Sequence, residues 1–264
     1  MNTDLLYYTI PLITARHAMF TRQGGVSLFP FTGLNLSFGV GDDPAAVREN
    51  REKVKKLLKV RSLASAAQVH GDRVIVVKGL SHDHEYQDAD ALITGQKGVG
   101  LLIQQADCQA VLLHDPQRGV IAAIHNGWRG SVVNIIEKTV RAMEENFGTS
   151  AADLRAVISP SLGPCCAEFI HYAQEFPASF QQWQVTEHHF DFWRISRHQL
   201  QETGVPDRHI RATELCTVCN KDFFSFRRAS GKRRNSGITG RNGSVVALAG
   251  PGREVNQEDS KKST

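Results

Sequence analysis

The stretch from residue 104 to residue 130, QQADCQAVLLHDPQRGVIAAIHNGWRG, constrains the fold more than any other part of the chain. Its two short apolar runs, residues 110–113 and 120–124, are separated by the turn residues Asp115, Pro116 and Gly119. Short apolar runs bounded by such residues are typical of buried strands. The stretch therefore predicts two strands that pair as a hairpin or lie side by side in one sheet.

A cysteine and a histidine stand at the ends of these two predicted strands. Cys108 precedes the first strand and His125 closes the second, so neighbouring strands bring both residues to the same end of the sheet. A thiolate and an imidazole at one sheet edge are the beginning of either a metal site or a Cys/His catalytic pair. Trp128 and Arg129 follow directly, where the chain leaves the sheet, and we expect them to face a ligand.

The length and composition are those of an ordinary globular protein. The 264 residues are 41% hydrophobic and 22% charged, with no internal repeat and no break in composition. We expect one domain over residues 1–250, followed by a polar, disordered tail over residues 251–264. The longest apolar runs are far too short to span a bilayer, and no signal peptide is apparent. A cytoplasmic protein with no membrane partner is expected.

Charge and cysteine content exclude two further classes. The net charge of +4 lies largely in one basic run, formed by Arg227, Arg228 and residues 232–234. No stacking aromatics or groove-reading motif accompany this run, so it predicts a solvated loop and not a nucleic-acid partner. Five cysteines, an odd number, favour reduced thiols over a disulfide framework.

Two helices have clear start and stop signals. Asp43 is placed to cap a helix with Pro44 at its first position, and the amphipathic pattern continues to residue 59. Ser131 is placed to cap a second amphipathic helix that ends at Gly148. Because the second helix starts near His125, its N-terminal amides suit an anion such as phosphate.

The remaining cysteines give weak signals. Cys165 and Cys166 are vicinal, and we interpret them as small packing residues. Cys216 and Cys219 form a C-x-x-C pair, but no second pair or Cys/His partner follows at the usual spacing. The pair is therefore weak support for a metal.

A third donor joins Cys108 and His125 when strand ends are compared along the chain. His70 lies beside Gly71, at the start of a predicted strand over residues 74–77. Two imidazoles and one thiolate with a free fourth position form a catalytic zinc set. The same residues could instead provide a Cys108 nucleophile with a His125 base, and spacing does not decide between the metal site and the catalytic pair.

The Gly-rich segment 21–41 contains two polar residues, Arg22 and Asn35. They belong either to a plain hairpin or to arms that reach a ligand.

Several blocks of sequence resemble one known family. They are QVHGD at 68–72, ADAL at 89–92, ADCQAVLLHD at 106–115, AAIHNGWRG at 122–130, SPSLGPCCAEF at 159–169, and FFSFRR with TGR near the C-terminus. In this order they look like the laccase-domain family, also known as multicopper polyphenol oxidoreductase, purine nucleoside phosphorylase and bacterial peptidoglycan editing factor. The resemblance covers nearly the whole chain.

The resemblance implies an α/β fold, a single-domain sandwich of mixed β-sheets flanked by helices, usually monomeric. It implies zinc at the residues that match His70, Cys108 and His125. It also implies phosphorolysis of the purine nucleosides adenosine, inosine and methylthioadenosine, together with deamination of adenosine. Copper-dependent phenol oxidation is attached to the family name as well.

Histidine content argues against a copper oxidase. A multicopper oxidase needs a mononuclear thiolate site and a trinuclear cluster held by many histidines in H-x-H pairs. This chain has 11 histidines, and its one H-x-H pair is His82 with His84. We therefore expect Zn²⁺, with Cu²⁺ as the alternative ion that the general order of metal affinities would favour.

Our hypothesis is a zinc-dependent purine nucleoside phosphorylase with adenosine deaminase activity, whose substrates are purine nucleosides and phosphate. Arginines match phosphate oxygens bidentately. The substrate-binding candidates are Arg22, Asn35, Gln68, Asp107, Arg129, Glu168 and Arg241. The alternatives are a Cys/His hydrolase that acts on cell-wall fragments, and a binding module without catalysis.

Overall fold

Two six-stranded mixed sheets form the frame of the protein in the computed structural model, which describes residues 4–231 and 237–249. The predicted tail and residues 232–234 of the basic run lie outside the described residues. In spatial order the first sheet comprises β1 (Tyr7–Tyr8), β2 (Arg16–Phe20), β14 (Asn242–Ala247), β7 (Val99–Gln105), β3 (Ser62–Ala66) and β5 (His84–Tyr86). The second comprises β13 (Ile210–Ala212), β10 (Arg155–Ile158), β8 (Gln109–Asp115), β9 (Val120–Asn126), β6 (Ala91–Thr94) and β4 (Val74–Val76). A short hairpin adds β11 (Gln184–Thr186) and β12 (His189–Phe190).

Helices cover the two outer faces of this sandwich. The helices are α1 (Pro44–Leu58), α2 (Trp128–Val132), α3 (Ile135–Phe147), α4 (Tyr172–Glu175), α5 (Phe192–Glu202) and α6 (Phe226–Ala229). Of these, α1 packs on the first sheet, and α3 and α5 pack on the second. Short 3₁₀ turns span Ala151–Asp153, Ala178–Trp183 and Asp207–His209. Among the described residues, no helix is both long enough and apolar enough to cross a bilayer.

The alternation of side chains along each strand builds three apolar layers. Leu101 of β7 and Leu112 of β8 point into the core between the two sheets, whereas Leu102 of β7 faces α1. Val111 and Leu113 of β8 face the opposite way, toward α3 and α5. Strands β7, β8 and β9 are buried along their whole length, as their near-continuous apolar sequences require. This is the predicted α/β sandwich of mixed sheets flanked by helices.

Local signals set the ends of α1 as predicted. The Asp43 side chain accepts a hydrogen bond from the amide of Ala45 at 2.8 Å, and Pro44 occupies the first position. Lys59 ends the helix in the left-handed conformation, with φ of 52°.

The predicted start of the second helix, at Ser131, was wrong. Ser131 is buried inside the separate short helix α2, and Asn134 caps α3 by accepting the Glu137 amide at 3.3 Å. Asn134 adopts φ of 51°, so the chain turns between the two helices and cannot continue through them. Gly148, with φ of 66°, ends α3 as predicted.

The central stretch forms the predicted hairpin. Strands β8 and β9 pair antiparallel from Gln109–Asn126 at one end to Asp115–Val120 at the other. Residues 106–108 carry the chain from β7 in the first sheet to β8 in the second. The open end of the hairpin therefore lies where the chain passes between the two sheets.

Candidate functional site

Cys108, His125 and His70 come together at this end of the sandwich. Ala110 pairs with His125 across the hairpin, which places His125 beside the segment that carries Cys108. The His70 Nε2 atom lies 3.7 Å from the Cys108 Sγ atom, and the two imidazole rings are 4.7 Å apart between centroids. One donor atom from each of the three residues falls within 4.8 Å of the others.

Asp90 orients the His125 ring and holds the backbone at His70. It directly precedes β6, whose Ala91 pairs with Ile124 of β9, and its carboxylate is fully buried. Asp90 Oδ1 lies 2.7 Å from His125 Nδ1, so the Nε2 atom of His125 is left for a ligand. The same carboxylate accepts the amides of His70 at 3.0 Å and Gly71 at 2.8 Å. These bonds hold His70 in its left-handed conformation, with φ of 61°.

Cys108 and His125 are each more readily ionised than free cysteine and histidine. Burial disfavours the Cys108 thiolate, but the positive charge of His125, with a contribution from His70, lowers the pKa of Cys108 to about 6. Burial likewise disfavours protonated His125, but Cys108 and Asp90 raise its pKa to about 9. Without a metal the pair is therefore a thiolate and an imidazolium at neutral pH.

These three residues fit a transition metal of the zinc or copper class. Zinc bonds of about 2.0–2.3 Å place the ligand atoms of a tetrahedral site roughly 3.3–3.8 Å apart, and the His70–Cys108 separation of 3.7 Å agrees. The ionised thiol supplies the charge that such an ion requires. The Asp90–His125 hydrogen bond is the usual outer contact of a metal-bound histidine.

The three donors open into a cleft of about 660 Å³, a volume typical of small-molecule sites. Its apolar wall is aromatic, formed by Trp128, Phe169, Phe192 and Phe226. Its polar wall carries three arginines. They are Arg129, Arg227 and Arg241.

Each arginine of the cleft is held by a specific contact. The guanidinium of Arg129 lies over the Trp128 ring at 4.4 Å, and that of Arg227 lies over the Phe169 ring at 5.3 Å. Arg241 immediately precedes β14, and its Nη1 atom donates to the Thr239 carbonyl at 2.9 Å. Burial lowers the pKa of Arg241, while the negative charges of Cys108 and Asp107 oppose that shift. A cation thus lies close to the thiolate end of the cleft.

Asp107 and Gln68 line the cleft, but their polar atoms are already engaged. Asp107, with φ of 91°, accepts the Thr217 hydroxyl on Oδ1 and the Arg227 amide on Oδ2, both at 2.7 Å. Gln68 makes two hydrogen bonds to the backbone of Gln104. Both residues therefore shape the cleft by holding its neighbouring segments.

Three predicted binding residues do not line this cleft. Arg22 donates to the Thr32 carbonyl at 2.8 Å and stacks on Phe224, away from the site. Asn35 is fully buried. Its side-chain NH₂ donates hydrogen bonds to Asp42 and to the Ser37 carbonyl, and its side-chain oxygen accepts the Arg241 amide. Asn35 therefore stabilises the loop before Arg241. Glu168 is exposed, and its carbonyl, not its carboxylate, accepts Arg227 Nη1 at 2.7 Å.

The sequence analysis also missed residues that do face the site. Arg227 was assigned to a solvated basic loop, yet it is half-buried and lines the cleft. Its neighbour Arg228 donates hydrogen bonds to the carbonyls of Val218 and Phe223. The start of the basic run therefore stabilises the fold and is not a solvated loop.

A second group of donors lies at the back of the cleft wall. The sulfur atoms of Cys165, Cys166, Cys216 and Cys219 fall within 4.8 Å of one another. The interpretation of the vicinal pair as packing residues was wrong, because Cys165 is exposed and Cys166 half-buried. The C-x-x-C pair does have partners, and they precede it in the sequence.

Comparison with known proteins gives consistent matches. A family model described as "Multi-copper polyphenol oxidoreductase laccase" matches residues 16–249. A "Purine nucleoside phosphorylase" of Deinococcus radiodurans is 34% identical over 248 residues, covering 90% of this chain and 91% of that one. The "Purine nucleoside phosphorylase YlmD" of Geobacillus stearothermophilus is 30% identical over 250 residues, covering 88% and 89%. A crystal structure of YlmD from Geobacillus stearothermophilus superposes with a TM-score of 0.81 at 28% identity, covering 92% of this chain and 94% of that one.

Proposed function

Because this chain belongs to the multi-copper polyphenol oxidoreductase laccase family, we propose that it is a zinc-dependent purine nucleoside phosphorylase that also deaminates adenosine. The observation that carries the proposal is the meeting of three kinds of group in one cleft: a metal-fitting triad, an aromatic wall and three arginines. The names of the relatives support the phosphorylase reaction.

The aromatic wall suits a purine base. Flat apolar rings bind between or against aromatic side chains, and Phe226, which is half exposed, lines the cleft beside Trp128 and Phe169. Arg129 covers one face of Trp128 and Arg227 covers one face of Phe169, so the base would lie among both rings and guanidinium groups. The thiolates on which the proposal depends suit the reducing cytoplasm.

The arginines suit phosphate as the nucleophile. In phosphorolysis a phosphate oxygen forms a bond to C1′ of the sugar while the C1′–N9 bond breaks, and the departing base takes up a proton. Guanidinium groups of Arg129, Arg227 and Arg241 would hold the phosphate and orient it toward C1′. The cation–π contacts of Arg129 and Arg227 limit the freedom of both side chains, so less entropy is lost when phosphate binds.

His70, Cys108 and His125 would hold the zinc ion. When bound, zinc would supply a Lewis acid and ease the deprotonation of water near pH 7, which is the chemistry that deamination at the purine C6 requires. Asp90 would keep His125 in the tautomer whose Nε2 is free to bind. Within residues 4–231 and 237–249, two groups of three or more His, Cys, Asp or Glu donors lie close enough to share an ion. They are the triad and the four cysteines, and neither is a histidine-rich trinuclear cluster. This favours zinc chemistry over phenol oxidation.

The test is analysis of the products formed from adenosine with and without phosphate. We expect adenine and ribose 1-phosphate only when phosphate is present, and inosine in both cases. Cys108→Ala, which removes a donor at the edge of β8, should abolish both products while the protein remains folded by circular dichroism. Full turnover by a zinc-free Cys108→Ala protein would refute the proposal.

A cysteine hydrolase is a second candidate, and one observation favours it. Cys108, His125 and Asp90 form a chain of contacts like that of a Cys/His/Asp triad, with the thiol pKa lowered to about 6. Such an enzyme would cleave cell-wall peptides without a metal. Iodoacetamide should then inactivate it irreversibly while a chelator leaves it active, whereas the phosphorylase should lose activity to the chelator and regain it with zinc.

A further inference from the structure

Four thiols converge from two separate loops outside the cleft. Cys219 Sγ lies 3.6 Å from Cys165 Sγ and 3.5 Å from Cys166 Sγ, and all four sulfurs are within 4.8 Å of one another. A tetrahedral zinc ion with bonds of about 2.3 Å separates its sulfur ligands by roughly 3.8 Å. A disulfide would require about 2.05 Å, far less than any of the given separations. The spacing is therefore that of a shared ion and not of a covalent pair.

The backbone around Cys216 is shaped to support a thiolate. The Gly163 amide donates to Cys216 Sγ at 3.4 Å. Gly163 permits the approach, since a β-carbon there would lie 2.9 Å from Cys216 Cβ. An amide that donates to a cysteine sulfur supports negative charge on that atom.

We propose that Cys165, Cys166, Cys216 and Cys219 bind one structural zinc ion, separate from the site at His70, Cys108 and His125. Four thiolates with no open position form a closed site, which stabilises structure and does not catalyse. The donor set is all sulfur, which selects zinc over harder divalent ions. This inference does not depend on the proposed reaction.

The ion would join the loop that carries Leu162, a residue of the cleft lining, to the loop that carries Cys216. Ser161 and Cys216 form a parallel β-bridge, and Thr217 donates its backbone amide to Ser161 and its hydroxyl to Asp107. Leu162, between Ser161 and the vicinal cysteines, lines the cleft directly and donates its amide to the Asp107 carbonyl. Zinc at the four cysteines would thus hold Leu162 and, through Thr217, Asp107 in place.

Zinc counting on the full chain, purified with reductant, tests the proposal. We expect about two zinc ions per wild-type chain by mass spectrometry of the metal, about one in Cys219→Ser and about one in Cys108→Ala. The double variant should hold none. Cys219→His should keep the second ion, because histidine is itself a zinc ligand and position 219 is exposed. Val218→Ala is the matched control, since it lies between two ligands, removes no donor and should keep both ions.

The outcomes separate this inference from the proposed function. If wild-type chains and Cys108→Ala chains hold the same single ion, the catalytic assignment fails and the four-cysteine site stands. If Cys219→Ser leaves the zinc content unchanged, the four-cysteine site is refuted. A disulfide among these cysteines in the reduced preparation, or iron in place of zinc, would also overturn the proposal. If Cys219→Ser does not fold, the zinc content of the other two proteins tests the four-cysteine site. About two ions in wild-type protein and about one in Cys108→Ala support it, and none in Cys108→Ala refutes it.

Discussion

The Cys108 thiol and the His125 imidazole lie side by side at the closed end of the cleft, and each stabilises the charged form of the other. A histidine placed beside a carboxylate and a thiol gains a proton more readily, and the thiol beside it loses one more readily. The consequence is a nucleophilic and metal-binding sulfur at a pH where free cysteine is mostly protonated.

The rate of alkylation of metal-free protein should report the lowered pKa of Cys108 directly. The rate at Cys108 should rise as pH increases through about 6, because the thiolate forms there and not near the value of 9 of an unperturbed thiol. Iodoacetamide labelling followed by peptide mass spectrometry measures it. Cys165, whose pKa burial and neighbouring thiols raise to about 11, is the internal reference and should stay unlabelled at neutral pH. A Cys108 midpoint near 9 would contradict the ion pair.

Asp90→Asn should weaken the metal site without removing a ligand. The variant keeps the size of the side chain but removes the charge that orients His125, so zinc affinity should fall by about 10–100-fold. Competition with a chromogenic chelator measures the change. Asp72→Asn is the control, because exposed Asp72 pairs with Lys138 on the surface and should leave zinc affinity unchanged. Equal affinities in all three proteins would show that Asp90 does not position His125.

Individual residues differed in how far sequence could identify them. Cys108 and His125 lie at the ends of two adjacent strands, and adjacency in sequence makes their meeting predictable. Arg227 reaches the same cleft from a distant segment through a backbone bond to Asp107, and no local pattern encodes such a contact. Asn35 is polar and lies in a Gly-rich stretch, but its amide is satisfied internally, which only the fold reveals.

At the level of elements, the junction between β9 and α2 determines whether the triad can form. Gly127 links the two, and a β-carbon there would lie 2.9 Å from Cys108 Sγ and 3.1 Å from His70 Cδ2. Its φ of −78° is one that alanine adopts freely, so the cost of a side chain falls on the donors and not on the backbone.

Gly127→Ala should therefore displace two donors while the fold persists. Zinc affinity should drop by at least about 10-fold, as expected when ligand orientation is disturbed. The free energy of unfolding of the metal-free protein should change by about 1 kcal/mol or less, measured by urea titration. Gly95→Ala is the control, because its β-carbon would meet Phe147 at an ordinary 3.5 Å. Unchanged zinc affinity in Gly127→Ala would contradict the arrangement of the triad.

Elements with local signals were predicted well, and elements set by distant contacts were not. Asp43 with Pro44, and Gly148, mark helix ends through their own side-chain or backbone preferences. Ser131 misled because the break between α2 and α3 depends on the left-handed turn at Asn134, three residues later. The four-cysteine group was not predicted because about fifty residues separate its two halves, which are brought together by contacts such as the bridge between Ser161 and Cys216.

Across the whole molecule, zinc should add stability to a fold that does not require it. The core between the sheets is apolar and independent of both metal sites, so chelated protein should stay folded. Free zinc at about 100 times the dissociation constant contributes about 2.7 kcal/mol per site. At about 2–4 °C per kcal/mol, each ion should raise the melting temperature by about 5–11 °C in scanning calorimetry. Calcium at the same concentration should have no effect, and a chelated protein that is unfolded at 25 °C would contradict this view.

The position of β14 has a further consequence for how the fold is completed. This strand, near the end of the chain, lies inside the first sheet, where it pairs antiparallel with β2 on one side and with β7 on the other. Until β14 docks, the facing edges of β2 and β7 are unpaired. Arg241, directly before β14, reaches the cleft only when that strand docks. Completion of the sheet and assembly of the cleft are thus one event.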